Sequence, residues 1–154
     1  MGVIRDVKDN FRTREMYAVY LSCMYMPTWE NFALRAGEYM LSGAISIFGY
    51  YIDERIAGII VVDKKAGATP EIVGIAVGPE YRKQGVGKRL IIYACKALDT
   101  REIMVETDDD AVAFYRRCGF EAEEFMKMFD SGEYKRYKCV LYMESLNIDP
   151  DYPS

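Results

Sequence analysis

The chain contains no histidine. Imidazole therefore plays no part in its chemistry, which excludes Ser/His/Asp and Cys/His nucleophilic catalysis and every His-ligated metal site. Acid and base work falls to Glu, Asp, Tyr, Lys or Cys. Cysteine is sparse: Cys23, Cys95, Cys118 and Cys139 lie far apart and form no CxxC pair, so neither a zinc site nor a dithiol redox motif is indicated. Buried free thiols in a reducing compartment fit this usage, and the chain reads as cytoplasmic. No apolar run approaches the roughly 18 residues that span a bilayer, and the first residues lack a signal-peptide layout, so no membrane partner is expected. Basic excess is also missing. Lys and Arg total 20 against 24 Asp and Glu, a net charge of −4, which argues against general nucleic-acid binding.

What remains is a chain of 154 residues that is 51% hydrophobic and 14% aromatic, the profile of one globular domain. A chain this long buries roughly 68–70% of its unfolded surface and needs no disulfide or metal staple. One domain is expected over residues 1–148, followed by a short acidic tail, Asp149–Ser154.

The apolar pattern supplies the elements. A brief apolar start at Val3–Val7 precedes Met16, Val19, Tyr20, Cys23 and Met24 at helical spacing, which Pro27 ends. Thr28 reads as the N-cap of a second helix that carries Trp29, Phe32, Ala33, Ala36 and Met40 on one face until Gly43. Ile45–Ile52 and Ile56–Val62 flank Asp53-Glu54-Arg55 as a hairpin, and Glu71–Val77 is a third strand. Lys88–Leu98 has helical spacing. Glu102–Glu106 reads as a strand, and Ala111–Arg117 as a helix capped within Asp108–Asp110 and ended by Gly119. Glu123–Phe129 and Tyr134–Met143, joined at Ser131-Gly132, close the chain. The order β-α-α-β-β-β-α-β-α-β-β specifies a mixed α/β (α+β) fold rather than a regular doubly wound sheet.

Between the strand Glu71–Val77 and its helix runs Arg82-Lys83-Gln84-Gly85-Val86-Gly87-Lys88-Arg89. Glycines let backbone approach a ligand closely, and the unpaired N–H groups of a first helical turn attract anions. From Tyr81 to Lys96 the chain has five basic residues and no acid, against its overall charge. The plain alternative is an ordinary strand–loop–helix connection with solvated cations. Walker A spacing is absent, no Ser or Thr follows Lys88, and the glycines do not form GxGxxG.

The run Arg82-x-x-Gly85-x-Gly87 resembles the acyl-CoA loop of the GNAT superfamily of N-acyltransferases. Ile72-Val73-Gly74-Ile75-Ala76-Val77-Gly78-Pro79-Glu80-Tyr81 resembles the strand leading to that loop, and Ala111-Val112-Ala113-Phe114-Tyr115-Arg116-Arg117-Cys118-Gly119-Phe120 resembles the family's late helix. The resemblance covers about Ile45–Leu146. It implies a central mixed, mostly antiparallel sheet flanked by helices, with acetyl-CoA as cosubstrate and no metal. By the same motifs Ile75, Ala76 and Val77 line the pantetheine arm, while Arg82, Lys83, Gln84, Gly85, Val86, Gly87 and Lys88 wrap the pyrophosphate. Many members carry Asn where this chain has Asp108, which is read here as a helix cap.

The implied reaction joins the acetyl group to a primary amine of a small molecule or peptide by direct attack in a ternary complex. A lysine-like amine, with a pKa of about 10.4, must lose a proton first. Glu71 matches the family's general-base glutamate in position, although a solvated strand-end residue is the alternative. A backbone N–H near Ile75 is the candidate oxyanion donor. Tyr115 matches the proton donor to the departing thiolate, against the alternative of a helix residue packed on the sheet.

Tyr25, Trp29 and Glu30, with Tyr39, Tyr134 and Tyr137, are weaker candidates for an aromatic, acidic acceptor surface suited to a cationic amine. Core-rim packing is the alternative for each. Two other functions remain at this point, a non-catalytic acyl-CoA-binding regulatory module and a nucleotide-phosphate site. Exposed edge strands in the last hairpin permit a homodimer as readily as a monomer.

Overall fold

In the computed structural model, which describes residues 2–146, seven strands form one sheet with helices on both faces. The acidic tail expected at Asp149–Ser154 lies outside the described residues. Strands β1 (Gly2–Asp6), β2 (Ile45–Ile52), β3 (Arg55–Asp63), β4 (Glu71–Val77), β5 (Glu102–Thr107), β6 (Glu121–Phe129) and β7 (Gly132–Tyr142) are arranged β1-β2-β3-β4-β5-β7-β6. Every neighbouring pair is antiparallel except β4–β5. Among the described residues no helix is long and apolar enough to cross a membrane.

Helices α1 (Arg14–Tyr20) and α2 (Trp29–Leu41) enclose one face, and α3 (Val86–Ala97) and α4 (Val112–Arg117) the other. Thr13 and Thr28 cap the first two, each hydroxyl accepting an amide three residues on. α1 is shorter than its apolar pattern, because Leu21–Cys23 tighten into a 3-10 turn and Met24 is already extended. α2 stops at Leu41, with Ser42 as its C-cap, before reaching Gly43. The β2–β3 hairpin turns on Asp53 and Glu54, both in the left-handed region at φ 50° and 65°, which matches the twist of the paired strands.

Burial alternates along the strands and divides the core. Val62, Ile72, Val105, Cys139 and Leu141 pack toward α3 and α4, whereas Ile59, Val61 and Ala76 meet α1 and α2. α1 lies directly on β3 and β4. Gly74 makes that approach possible, since a Cβ there would collide with Tyr20 Oη. Gly74→Ala is therefore expected to destabilise the fold by about 1–3 kcal/mol, read as a lowered Tm. An unchanged Tm would show that α1 yields freely.

Candidate active site

The β4–β5 pair is the only parallel pairing among the described residues, and it is short. Glu71 opposite Met104 is its single register position, supported by the Met104 amide donating to the Pro70 carbonyl at 2.9 Å. On its other side β4 carries a bulge: Val61 pairs with Gly74 and Val62 with Ile72, so Val73 is extra. Beyond Glu71 the two strands part and open a cleft of about 1840 Å³.

Ile75, Ala76 and Val77 form the β4 wall of this cleft, and Val105, Glu106 and Thr107 face them from β5. At one end lies the glycine loop. Gly85, at φ 80°, is the N-cap of α3 and offers no side-chain cap. The first helical bond runs from the Arg89 amide to the Gly85 carbonyl, so the amides of Val86, Gly87 and Lys88 have no acceptor within the helix. Arg82 Nε donates to the Val77 carbonyl at 3.2 Å and ties the loop to β4. Arg82, Lys83, Gly85, Val86, Gly87 and Lys88 all line the cleft. Gln84 does not; its amide donates to the Glu80 carbonyl, and its own carbonyl accepts from Arg89. Free amides, the positive end of a helix dipole and three cations fit a pyrophosphate, while the apolar β4 wall fits a pantetheine arm.

Tyr115 enters from α4. It is buried against Phe114 and Phe120, yet it lines the cleft. Its hydroxyl has no hydrogen-bond partner among the described residues, where no fully buried polar side-chain atom lacks one, so Oη opens into the cleft. Burial, followed by the nearby Cys23, Cys139 and Cys118 thiols and Asp108, pushes the phenol well above its ordinary pKa. Asp108 is occupied locally: Oδ1 accepts from the Asp110 and Ala111 amides at 3.0 and 3.1 Å and closes the turn that leads into α4, whose N-cap is Ala111 without a side-chain cap, so the expected capping by Asp108–Asp110 is not what starts the helix.

Glu71 is placed differently from a residue reaching the acceptor. It stands at the closed end of the split, ion-paired with Lys65, outside the cleft lining. Of the aromatic and acidic acceptor candidates only Tyr25 lines the cleft. Trp29 packs on Tyr17 and Phe32 beneath the Arg14 guanidinium, and Glu30 lies on the exposed first turn of α2. Tyr39 packs toward Phe11, Tyr134 bonds to Ser131, and Tyr137 donates to Asp109. Trp29, Glu30, Tyr39, Tyr134 and Tyr137 thus belong to helix rims and hairpin contacts.

Sequence reasoning missed Cys23 and the group Glu106, Lys127 and Arg136. Cys23 opens onto the cleft, with its sulfur hydrogen-bonded to the Tyr20 carbonyl at 3.3 Å. Burial pushes the thiol up to about 11, against lowering by hydrogen bonds that include the Ile75 backbone N–H. Ile75 and Cys23 both line the cleft. Glu106, Lys127 and Arg136 are charges from three strands, and only strand pairing brings them together. Among the described residues no group of His, Cys, Asp and Glu is arranged to hold a metal ion.

Comparison with known proteins agrees with this architecture. Residues 8–120 match the family model described as Acetyltransferase (GNAT) family. An uncharacterized N-acetyltransferase, YvbK, of Bacillus subtilis is 30% identical over 92 residues, 56% of this chain; the match spans only 58% of that relative's length. The ribosomal-protein-S18-alanine N-acetyltransferase from Escherichia coli superposes with a TM-score of 0.70 at 16% identity, over 100% of this chain and 99% of that one. A Bacillus subtilis acetyltransferase in complex with CoA gives a TM-score of 0.67 at 21% identity, over 92% and 99%. A sheet split beside a glycine loop, together with a family match across most of the length, places the chain in the GNAT acetyltransferase family.

Proposed function

We propose that the protein transfers the acetyl group of acetyl-CoA to a primary amine by direct attack in a ternary complex. The observation that supports this reading is the parting of β4 from β5, which leaves Ile75, Tyr115 and the α3 anion loop lining one cleft. Acetyl-CoA supplies an activated thioester. The amides of Val86, Gly87 and Lys88, with Arg82 and Lys83, hold the pyrophosphate. Ile75–Val77 orient the pantetheine arm along β4. The Ile75 N–H donates to the carbonyl oxygen as charge develops there. Tyr115 Oη donates its proton to the sulfur as the C–S bond breaks; because the buried phenol is a weaker acid than a thiol of pKa about 8.5, this transfer runs uphill, and the phenolate regains its proton from water in the open cleft.

Cys23 supports direct transfer. Cys23 has no imidazole to activate it, and its thiol is pushed up rather than down, which disfavours an acyl-cysteine route. Glu71, paired with Lys65 outside the cleft, is replaced in this reading by water as the first acceptor of the amine proton.

The pH profile follows from these assignments. With no histidine and a phenol shifted upward, kcat/KM is expected to rise as the amine loses its proton and to show no descending limb between about pH 7 and about pH 10. A fall beginning below about pH 10 would assign the acid to another group. The Glu71–Lys65 pair favours one second reading, an acyl-CoA-binding module without turnover. Release of CoA across a panel of amines separates the two: turnover supports the enzyme, and tight binding without release supports the module.

A further inference from the structure

The cleft wall opposite the loop carries a charge arrangement that the transfer chemistry does not use. Along β5, Val105 and Thr107 are buried and Glu106 takes the opposite face; along β7, Tyr137 and Cys139 are buried and Arg136 takes the opposite face. Phe125 on β6 pairs with Arg136 and Lys127 with Tyr134, which sets Lys127 diagonal to Arg136. Glu106 Oε1 and Oε2 accept from Lys127 Nζ at 3.1 and 3.0 Å, and Oε2 also accepts from Arg136 Nε at 3.1 Å. One carboxylate thus serves two cations. The cluster keeps a net charge of +1 on a partly buried wall.

Arg136 bonds through Nε alone, so its two terminal nitrogens have no partner among the described residues. A guanidinium held at Nε keeps the flat edge that meets a carboxylate through two parallel hydrogen bonds. Burial raises the Glu106 pKa, but hydrogen bonds from Lys127 and Arg136 outweigh it and hold the carboxyl below its ordinary range, so the anchor stays ionised. The remaining cleft carboxylates, Asp108 and Asp110, stand in the β5–α4 loop.

We infer that Arg136, flanked by Lys127, binds a carboxylate on the acceptor, so that the substrates are amines that also carry a carboxylate, such as free amino acids, rather than polyamines. This rests on the acetyltransferase reading. It also reverses the expectation of an acidic acceptor surface for a cationic amine. The double hydrogen bond fixes the acceptor's orientation and enters mainly through KM.

The test compares free amino acids with their carboxamides in CoA-release assays at saturating acetyl-CoA. The carboxamide has the less basic amine and so more free base at a given pH, which makes any preference for the acid conservative. Acids are expected to exceed amides in kcat/KM by about tenfold or more, mostly through KM, and Arg136→Gln to cut that ratio by a similar factor. The acetyl-CoA Kd of the variant checks its folding, and the wild-type ratio stands without it. Turnover of amides at or above the rate of acids overturns the carboxylate site but keeps the acetyltransferase. Binding of acetyl-CoA without release from any amine overturns the site and leaves a binding module; no binding at all overturns both.

Discussion

Tyr115→Phe is expected to lower kcat by about 100-fold while changing the affinity for acetyl-CoA by less than about twofold. The substitution removes one oxygen that has no hydrogen-bond partner among the described residues, so it leaves no buried donor or acceptor stranded. The ring contacts with Phe114 and Phe120 survive, and Tm should hold. The loss therefore falls on the chemical step. Single-turnover measurement at saturating acetyl-CoA reads it directly. An unchanged kcat would mean that solvent protonates the departing sulfur and that Tyr115 only packs.

Gly87→Glu is expected to weaken acetyl-CoA binding by at least about 100-fold. Two effects act together. A carboxylate on the first turn of α3 opposes the phosphate charge that free amides would otherwise attract. In addition, a Cβ at Gly87 would lie 2.7 Å from Phe114 Cζ, so that ring, which lines the cleft, would have to shift. Gly43→Glu is the matched control, because a Cβ there meets nothing within 4 Å. Its Tm and acetyl-CoA affinity should equal those of the wild type. If Gly87→Glu also kept its affinity, the phosphates would have to bind elsewhere.

Local signals carried much of the fold. Thr28, the alternation of Glu71–Val77 and the turn at Gly119 act over a few residues, and each element formed close to where its pattern lies. The α1 end differed because apolar spacing continues through Cys23 while the backbone tightens to present that thiol to the cleft. The loop was legible for the same reason as the strands, since its glycines and cations are contiguous. Trp29 and Glu30 were misleading because helix-face chemistry does not say whether a face meets a cleft or another helix. The Glu106–Lys127–Arg136 group was illegible. Its members are 21 to 30 residues apart in sequence from Glu106, and their proximity depends on the register of β5 against β7 and of β7 against β6. Glu71 shows the converse: a motif places it along the sequence, but where it sits in the fold follows from the single β4–β5 pairing, at the point where the cleft closes.

The central claim is that the gap between β4 and β5, with the loop at its end, is an acetyl-CoA site. Calorimetric titration of the folded protein with acetyl-CoA, with ATP as comparison, tests it most directly. Saturable binding near micromolar, about −8 kcal/mol, with no comparable heat from ATP, is the predicted result. No heat from acetyl-CoA, or equal affinity for ATP, would contradict it.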